Sequence, residues 1–233
     1  MVQAVRGMVR QELTAAAITL FQANGYDRTT VDEIAEAAGV ARRTFFRHFR
    51  TKEDAVFPDH DNCLRRVQEH LDAAGPDQPP FALMTSAGHL VLAMYADDPD
   101  LAVRRYRVTR EVEPLREREI TTTSRYQRVF AEYLRRRLRG RDQQRLLQEV
   151  AAATVVATHN FVLRQWLRDG GRGDPHTRLD AALRTVAEAF PGWLSTQAGA
   201  VPRKDSNDVL VLRVRPDTPL WWIAEEIETA SGR

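Results

Sequence analysis

The chain has 233 residues, of which 43% are hydrophobic, and this is enough for one large or two small domains with a buried core. Its 34 Lys and Arg against 32 Asp and Glu give a formal net charge of only +2, so the chain is not basic throughout. A surface that binds nucleic acid must therefore come from a local cluster of basic residues.

The cysteine content and the hydropathy of the sequence indicate in which cellular compartment the protein is expected. The single cysteine, Cys63, excludes an intrachain disulfide framework and fits a reducing cytoplasm. The N-terminal sequence MVQAVRGMVRQE lacks the apolar segment of a signal peptide. No uninterrupted run of about 18 apolar residues is present, so we expect no membrane span and a cytoplasmic location.

The first element predicted along the chain is a helix over residues 10–24, which Gly25 ends. Residues 1–9 are predicted to form a mobile arm. Arg6 and Arg10 could contact a phosphate or a minor groove, or they could simply be solvated. The buried stripe of the helix has helical spacing and consists of Leu13, Ala16, Ala17, Leu20 and Phe21.

Two short helices are predicted within residues 30–52, TVDEIAEAAGVARRTFFRHFRTK. Thr30 followed three residues later by Glu33 is the pattern of a capping box, in which the hydroxyl and the carboxylate each bond a backbone N–H at the start of a helix. Gly39 follows the last helical residue, where a left-handed conformation stops a helix most easily. A second helix restarts over residues 41–49. Two short helices around a Gly corner indicate a helix-turn-helix.

The second of these helices is chemically one-sided. Residues 39–52 contain no acidic residue, and Arg43, Arg47 and Arg50 lie at i, i+4 and i+7 on one face. Phe45 and Phe49 are four residues apart and can pack against the preceding helix. One interpretation is a solvated basic face over an aromatic core. The position after a capped helix and a Gly corner favours a helix presented to a DNA groove.

Residues 10–57 resemble the DNA-binding domain of the TetR/AcrR regulators, through AAAITLFQANGYDRTT followed by TVDEIAEAAGVARRTFFRHFRTKEDAV. The resemblance implies an all-α protein with an N-terminal helix-turn-helix domain and a helical ligand-binding and dimerisation domain. It also implies a homodimer, a double-stranded DNA operator and a small apolar or amphipathic effector. Because a dimer presents two recognition helices, we expect the operator to be an inverted repeat.

The resemblance also implies which residues bind DNA. The family often has a small residue or Pro where Arg43 stands, and Tyr where Phe46 stands, so one phosphate contact through a phenol is lost here and an Arg donor is gained. Lys52 lies at the start of a predicted fourth helix, which Thr51 and Asp54 cap. The predicted DNA-binding set is Thr30, Arg42, Arg43, Thr44, Phe46, Arg47, His48 and Lys52, of which Thr30, His48 and Lys52 are assigned to phosphates.

Pro58 interrupts the fourth helix, because Pro lacks an N–H and clashes with the preceding turn. This break is the predicted connection between a DNA-binding domain, residues 1–57, and a ligand-binding and dimerisation domain, residues 58–197. The second domain is predicted to contain helices over residues 62–73, 81–95, 101–111, 114–139, 141–169 and 177–195. The last two resemble the dimer four-helix bundle of the family; the alternative is that they form the core of a monomer.

A ligand cavity is predicted among the middle helices. Its candidate lining residues, chosen as apolar or aromatic members of those helices, are Leu90, Met94, Tyr106, Tyr126 and Phe161. His89 and the pair His159–Asn160 are either polar anchors for a ligand or satisfied core residues. A row of arginines is either a solvated face or a site for an anionic ligand such as an acyl-CoA; it consists of Arg104, Arg105, Arg107 and Arg110.

The C-terminal residues 198–233 depart from the helical pattern. Residues 208–214, DVLVLRV, alternate and are rich in β-branched residues, which predicts a strand, and residues 218–230 predict an amphipathic helix with Trp221 and Trp222. A lone strand leaves its backbone groups unpaired. We therefore expect this extension to dock across a dimer, its strand pairing with the same strand of a second copy. The alternative is a flexible extension.

Catalytic signatures are missing from the sequence. No GxGxxG, GxxxxGK[ST], HExxH or GxSxG motif is present, so an enzyme is not predicted and no cofactor is expected. His60 and His70 near Cys63 are two histidines that could suggest a metal, but lone histidines are the better interpretation. The alternative to a ligand-responsive regulator is a helical DNA-binding or protein-interaction module without effector response.

Overall fold

Helices form most of the described chain. The structure is a computed structural model, and it describes residues 2–75, 77–138 and 142–189. Within these ranges the α-helices are α1 (Val2–Asn24), α2 (Val31–Ala37), α3 (Arg42–His48), α4 (His60–Asp72), α5 (Pro80–Ala96), α6 (Pro99–Glu111), α7 (Glu113–Arg137), α8 (Asp142–Arg168) and α9 (Pro175–Ala189). The predicted all-α fold is confirmed for this part of the chain. The strand and helix predicted in residues 198–233 lie outside the described residues.

The N-terminal helix is longer than predicted. α1 begins at Val2, so the prediction of a mobile arm over residues 1–9 is wrong for residues 2–9. The stretch from residue 2 to residue 9 contains no Pro, and its weakest helix former is Gly7. A single Gly costs about 1 kcal/mol relative to Ala and lowers helix stability without ending the helix.

The helix-turn-helix forms as the sequence predicts. The Thr30 hydroxyl accepts from the Glu33 backbone N–H at 3.2 Å, and a Glu33 carboxylate oxygen accepts from the Thr30 N–H at 2.7 Å. Both halves of the capping box are therefore present at the start of α2. Gly39 has a φ of 65°, the left-handed conformation that lets the chain turn sharply from α2 towards α3.

The connection after α3 differs from the predicted fourth helix. Only one turn of 3₁₀ helix forms, Asp54–Val56. The predicted Thr51–Asp54 cap is present, since the Asp54 carboxylate accepts from the backbone N–H groups of Arg50 and Thr51 at 3.0 and 3.3 Å and the Thr51 hydroxyl accepts from the Asp54 N–H at 3.4 Å. The predicted break at Pro58 is confirmed. α4 begins two residues later, where the Asp59 carboxylate caps the Asn62 N–H at 3.0 Å.

Two clusters of buried apolar residues hold the described chain together. The smaller cluster joins α1, α2, α3 and the 3₁₀ turn, and it includes Val108 from α6 and Leu115 from α7. The larger cluster joins helices α4 to α9 and contains the fully buried Trp166. The change from one cluster to the other near residue 57 agrees with the predicted domain boundary, which stays a prediction.

One helix has a composition that membrane spans share. The stretch Arg145–Arg168 of α8 is long and apolar enough to cross a membrane, and half of its most apolar window is buried inside the protein. A core helix of a soluble protein passes the same test, so this stretch is weak support for a span. In the fold it packs along α7, α9 and α5.

Candidate DNA-binding surface and ligand cavity

The second helix of the helix-turn-helix turns its basic side to solvent. Arg43 and Arg47 are exposed, and neither makes a hydrogen bond or an ion pair with the described part of the chain. On the other side of α3, Phe45 is fully buried and Phe49 is 2% exposed. The two guanidinium groups are therefore available to an external partner while the aromatic side fixes the helix.

Arg42 and Phe46 form a local group at the start of α3. The Arg42 guanidinium pairs with the Asp32 carboxylate of α2, and its central carbon lies 5.4 Å from the Phe46 ring centroid. Phe46 is 47% exposed although it is aromatic. Both side chains therefore lie on the surface that α2 and α3 share, with Arg42 held by an acidic neighbour.

Lys52 closes the bend between α1 and α2. Its ammonium donates to the carbonyl oxygens of Tyr26 at 2.7 Å and Thr29 at 3.2 Å, and it lies 4.0 Å from the Tyr26 ring centroid. The Tyr26 hydroxyl in turn donates to Glu53. An ammonium has three donors, so one remains for a phosphate. This clamp has no signal in the sequence, because its two carbonyl acceptors lie far from Lys52 along the chain.

Thr30, Thr44 and His48 differ in their hydrogen bonds and in their burial. The Thr30 hydroxyl belongs to the capping box, whereas Thr44 is half-buried on α3. The His48 carbonyl oxygen accepts from Arg10 at 3.0 Å, and the Arg10 guanidinium lies 4.4 Å from the Phe49 ring centroid. Arg10 thus holds the end of α3 against α1 and is not a free side chain.

Two adjoining chambers lie among the helices of the larger cluster. The first, here called the tyrosine chamber, has a volume of about 50 Å³ and is lined by residues that include His60, Tyr95, Glu119, Tyr126, Phe130, His159 and Asn160. The second, here called the arginine chamber, has a volume of about 40 Å³ and is lined by residues that include Tyr95, Arg105, Tyr106, Thr109, Glu119, Asn160 and Arg164. Each holds only a few waters at this size, so a larger ligand must displace lining side chains.

The predicted lining residues divide between the chambers and other places. Tyr126 lines the tyrosine chamber and Tyr106 lines the arginine chamber. Leu90 and Met94 are half-buried against the larger cluster and line neither chamber. Phe161 is 57% exposed on α8 and also lines neither. Hydrophobicity selected the right helices, but the face that each helix turns inward depends on packing that the sequence does not show.

A buried chain of polar rings crosses the tyrosine chamber. His60 Nδ1 lies 3.0 Å from the Tyr126 hydroxyl, and His60 Nε2 lies 3.4 Å from the Tyr95 hydroxyl. Burial, together with the charges of Arg105 and Arg125, lowers the pKa of His60 to about 3. The imidazole is therefore neutral at pH 7. This role for His60 was not predicted, although its position directly after the Pro58 break placed it between the two domains.

His159 leaves one ring nitrogen without a partner. Its Nδ1 lies 3.2 Å from the Asn160 side-chain oxygen, which can only accept, so Nδ1 carries the proton. Burial lowers the pKa of His159 to about 4. Nε2 is buried and has no hydrogen-bond partner in the described part of the chain, so it is an unused acceptor.

His89 has a different environment from His159. It contacts His176 and Asp180 at 2.9 and 2.8 Å and lines neither chamber. Its contacts are therefore between helices α5 and α9. Of the two predicted polar anchors, only the pair His159–Asn160 faces a cavity.

Glu119 lines both chambers. It is partly buried and makes no hydrogen bond or ion pair with any described residue. Burial raises the pKa of its carboxyl group, and the charge of Arg164 opposes this effect. Sequence reasoning missed this residue because Glu119 stands in a polar segment of α7 that resembles a solvated helix face.

Arg105 connects the arginine chamber to the helix-turn-helix unit. It is only 7% exposed, and its Nε donates to the Val56 carbonyl oxygen in the 3₁₀ turn at 2.5 Å. Its guanidinium lies 6.0 Å from the Tyr95 ring centroid. The interpretation of the arginine row as a solvated face is therefore wrong for Arg105, whose position on α6 turns it inward, whereas Arg107 and Arg110 are exposed.

The described residues contain no metal-binding arrangement. No group of three or more His, Cys, Asp or Glu side chains in these ranges could hold a metal ion. Cys63 is buried, and its Sγ lies 3.8 Å from the Leu90 carbonyl oxygen. His70 lies 2.6 Å from the Ser86 hydroxyl.

Comparisons with known proteins agree with this architecture. Residues 13–56 match the family described as bacterial regulatory proteins of the tetR family, and residues 78–191 match the MftR C-terminal domain. The regulator MftR of Mycobacterium tuberculosis, named for mycofactocin biosynthesis, is 29% identical over 167 residues, which are 70% of this chain and 82% of MftR. The transcriptional repressor KstR2 of Rhodococcus jostii is 34% identical over 115 residues, 43% of this chain and 54% of KstR2.

A solved structure has the same fold. The transcriptional regulator FadR from Bacillus subtilis, in complex with stearoyl-CoA, aligns with a TM-score of 0.56 and 18% identity over 78% of this chain and 99% of FadR. The two matched family regions cover both the helix-turn-helix and most of the larger helical part. The chain therefore belongs to the TetR family of DNA-binding transcriptional regulators.

Proposed function

We propose that this regulator is a cytoplasmic repressor that binds an inverted-repeat operator as a homodimer and is released by a small apolar or amphipathic effector. The observation that carries the proposal is the Arg105–Val56 hydrogen bond. This bond joins a residue that lines the arginine chamber to the 3₁₀ turn that follows α3. A ligand that moves Arg105 therefore acts on the backbone that positions the DNA-binding helix.

The DNA contacts are proposed from exposure and charge. Arg42, Arg43, Thr44 and Arg47 would enter the major groove, because the exposed side of α3 carries guanidinium groups that can bond two acceptors of guanine. Thr30, His48 and Lys52 would contact phosphates at the edges of this surface, and Phe46 would lie against the backbone or a base edge. Because the basic surface is local, binding should weaken steeply with salt.

The homodimer is proposed from an exposed apolar stripe on α8. Leu147, Val150 and Phe161 are 44%, 36% and 57% exposed, and with Thr154 and Ala157 they share one side of the helix. α9 places the small residues Ala181, Thr185 and Ala189 at its own surface. Small side chains let helices approach closely, so a four-helix interface between two copies would cover both surfaces. This interface is also our proposed location for Phe161.

Ligand control is proposed from the chambers and from a relative of the same fold. The FadR structure, which has the same fold, was solved in complex with stearoyl-CoA, and this supports a ligand for the present chain. A ligand lowers operator affinity only if it binds the arrangement that does not bind DNA more tightly. Since the chambers are small, ligand entry must move lining side chains, and Arg105 is one of them.

The proposal can be tested with a selected operator. Sequences bound by the full chain would be enriched from a random DNA library, and the affinity for the best sequence would be measured with and without candidate effectors. We expect an inverted repeat, and an affinity that falls when an effector saturates the protein. If ligands that demonstrably bind leave operator affinity unchanged, the alternative of a ligand-independent DNA-binding module is correct. If no DNA sequence is enriched, a protein-interaction module is the better interpretation.

A further inference from the structure

The tyrosine chamber has a single charged lining residue. No Lys or Arg lines it, and its one acidic residue is Glu119. Burial lowers the pKa values of the two lining histidines, His60 to about 3 and His159 to about 4, so both rings are neutral at pH 7. Glu119 is therefore the lining residue of this chamber that can carry a charge, and because burial raises the pKa of its carboxyl group, a cation bound beside it favours the ionised form.

The Glu119 carboxylate has acceptor capacity that the protein does not use. It makes no hydrogen bond or ion pair with any described residue, although it is partly buried between two chambers. Arg164 is its main electrostatic neighbour, and that side chain is exposed, so water screens its charge. A partly buried carboxylate without a partner is stabilised by a ligand that brings a donor or a positive charge.

A second unused acceptor lies in the same chamber. His159 Nδ1 donates to the Asn160 side chain, which leaves the lone pair of Nε2, and this atom is buried without a partner in the described part of the chain. A ligand carboxylate or phosphate would place acceptor against acceptor at this nitrogen. A ligand N–H would satisfy it.

Aromatic walls complete the environment. Tyr95, Tyr126 and Phe130 line the chamber, and the two tyrosine hydroxyls lie within 3.4 and 3.0 Å of His60. Faces of aromatic rings attract cations, by roughly 2 kcal/mol or more when the site is desolvated. The walls therefore suit an apolar body that carries a positive group.

We propose that the tyrosine chamber binds an apolar primary amine in its protonated form, with the ammonium at Glu119 and one N–H donated to His159 Nε2. The inference rests on the proposed function for its regulatory consequence, since the amine would then be an effector. The charge of Arg105 reaches this chamber, since it lowers the pKa of His60, but its guanidinium does not line the chamber and is held at the Val56 carbonyl oxygen. A compound with one aromatic ring exceeds the volume of about 50 Å³, so its entry must displace lining side chains.

The test uses three probes of similar size that carry a cationic, a neutral or an anionic group on one phenyl ring. 2-Phenylethylamine is a cation at pH 7, 2-phenylethanol is neutral, and phenylacetate is an anion. Binding of each to the full chain is measured by isothermal titration calorimetry. We expect the amine to bind at least about tenfold more tightly than the alcohol, a factor that corresponds to 1.4 kcal/mol, and the anion to bind more weakly still.

Two variants assign the preference to Glu119. Glu119→Gln keeps the shape and removes the charge, so it should reduce amine affinity by at least about tenfold and leave alcohol affinity within about twofold. Glu117→Gln, an exposed position on the same helix, is the matched control and should change neither. A cooperative thermal transition and the far-UV circular dichroism spectrum of the wild type verify that both variants fold.

Several outcomes overturn the proposal. The first is that the amine binds the wild type and Glu119→Gln with equal affinity. The second is that phenylacetate binds more tightly than the amine. The third is that no probe binds measurably to a chain that still binds operator. The failure of the proposed function looks different. In that case the amine binds with the expected dependence on Glu119, and operator affinity does not change.

Discussion

The Arg105 Nε atom donates to the Val56 carbonyl oxygen at 2.5 Å, across the boundary between the two clusters of buried apolar residues. Arg105 is 7% exposed, lines the arginine chamber and has no acidic side chain within 4 Å in the described ranges. Val56 ends the 3₁₀ turn that follows α3. One buried guanidinium therefore touches both the cavity and the segment that positions the recognition helix.

Removing this guanidinium should lower the stability of the protein and weaken the coupling between effector binding and operator release. Arg105→Met leaves the Val56 carbonyl without its donor, so we expect the free energy of unfolding to fall by about 1–3 kcal/mol. Because the bond joins the two clusters, an effector that releases operator from the wild type should release it less from the variant. Chemical denaturation and operator titrations with effector measure the two effects.

Arg107→Met is the matched control for this change. Arg107 lies on the same helix and is exposed, so the free energy of unfolding of the variant should stay within about 0.5 kcal/mol of the wild-type value. If the two variants have the same free energy of unfolding and the same response to effector, the Arg105–Val56 hydrogen bond contributes neither to stability nor to the coupling between effector and operator binding.

Interactions between residues close in sequence were predictable. The Thr30–Glu33 capping box and the left-handed Gly39 depend on residues within one or two turns, and both form as the sequence indicates. The break at Pro58 is also local, because it follows from the missing N–H of a single residue. For the same reason the described bounds of the helices in the larger domain lie within a few residues of the predicted ones, while the predicted end of the last helix, residues 190–195, lies outside the described residues.

Residues that depend on the packing of distant helices were not predictable. Glu119 and Arg105 each stand among charged neighbours, and nothing in those segments marks which side chain turns inward. Phe161 shows the opposite error, since its apolar side chain suggested a cavity although it lies on the exposed side of α8. The rotation of a helix about its axis is set by its partners, which a single sequence does not give.

Arg43 and Lys52 should have different effects on DNA recognition. Arg43 is exposed and unpaired with described residues, so Arg43→Ala should relax base preference at one position in each half-site, with a loss of about 1–3 kcal/mol of discrimination. Lys52→Ala should weaken binding to all sequences alike, because its remaining donor is proposed to contact a phosphate, which every sequence carries. Binding to an operator library compares the two variants.

Lys52→Ala also removes the bonds to Tyr26 and Thr29, so its fold must be checked by its melting temperature. Arg172→Ala is the control for a lost positive charge far along the chain, in the loop before α9, and should leave affinity unchanged. The assigned roles are reversed if Lys52→Ala alters base preference and Arg43→Ala does not.

The α8 stripe should decide the oligomeric state. Phe161→Arg places a charge in the centre of the proposed interface, so we expect a folded monomer at micromolar concentration and loss of tight binding to the full inverted repeat. Sedimentation and operator titration measure this. Ile120→Arg is the control, since Ile120 is 67% exposed but lies on α7 and not on α8. A dimer that survives Phe161→Arg, or a wild type that is monomeric, contradicts the proposed interface.

Acid should destabilise the protein through its buried histidines. Burial lowers the pKa of His60 to about 3 and that of His159 to about 4, against 6.5 for an ordinary histidine. Between pH 6.5 and 4 the unfolded chain therefore binds more protons than the folded one, and stability falls as the pH falls. The slope is about 1.4 kcal/mol per pH unit for each histidine well below pH 6.5.

Other groups titrate in the same range, so the test compares variants rather than absolute slopes. Burial raises the pKa of Glu119, which favours the folded state as the pH falls, whereas the lowered pKa of Asp61 has the opposite effect. His60→Asn keeps a polar group beside Tyr126 and removes one titrating ring. Its free energy of unfolding, measured in urea from pH 7 to pH 5, should fall less steeply than that of the wild type, by up to about 1.4 kcal/mol per pH unit. His159→Gln should behave in the same way, and parallel slopes for the wild type and both variants would mean that these rings are not held neutral by burial.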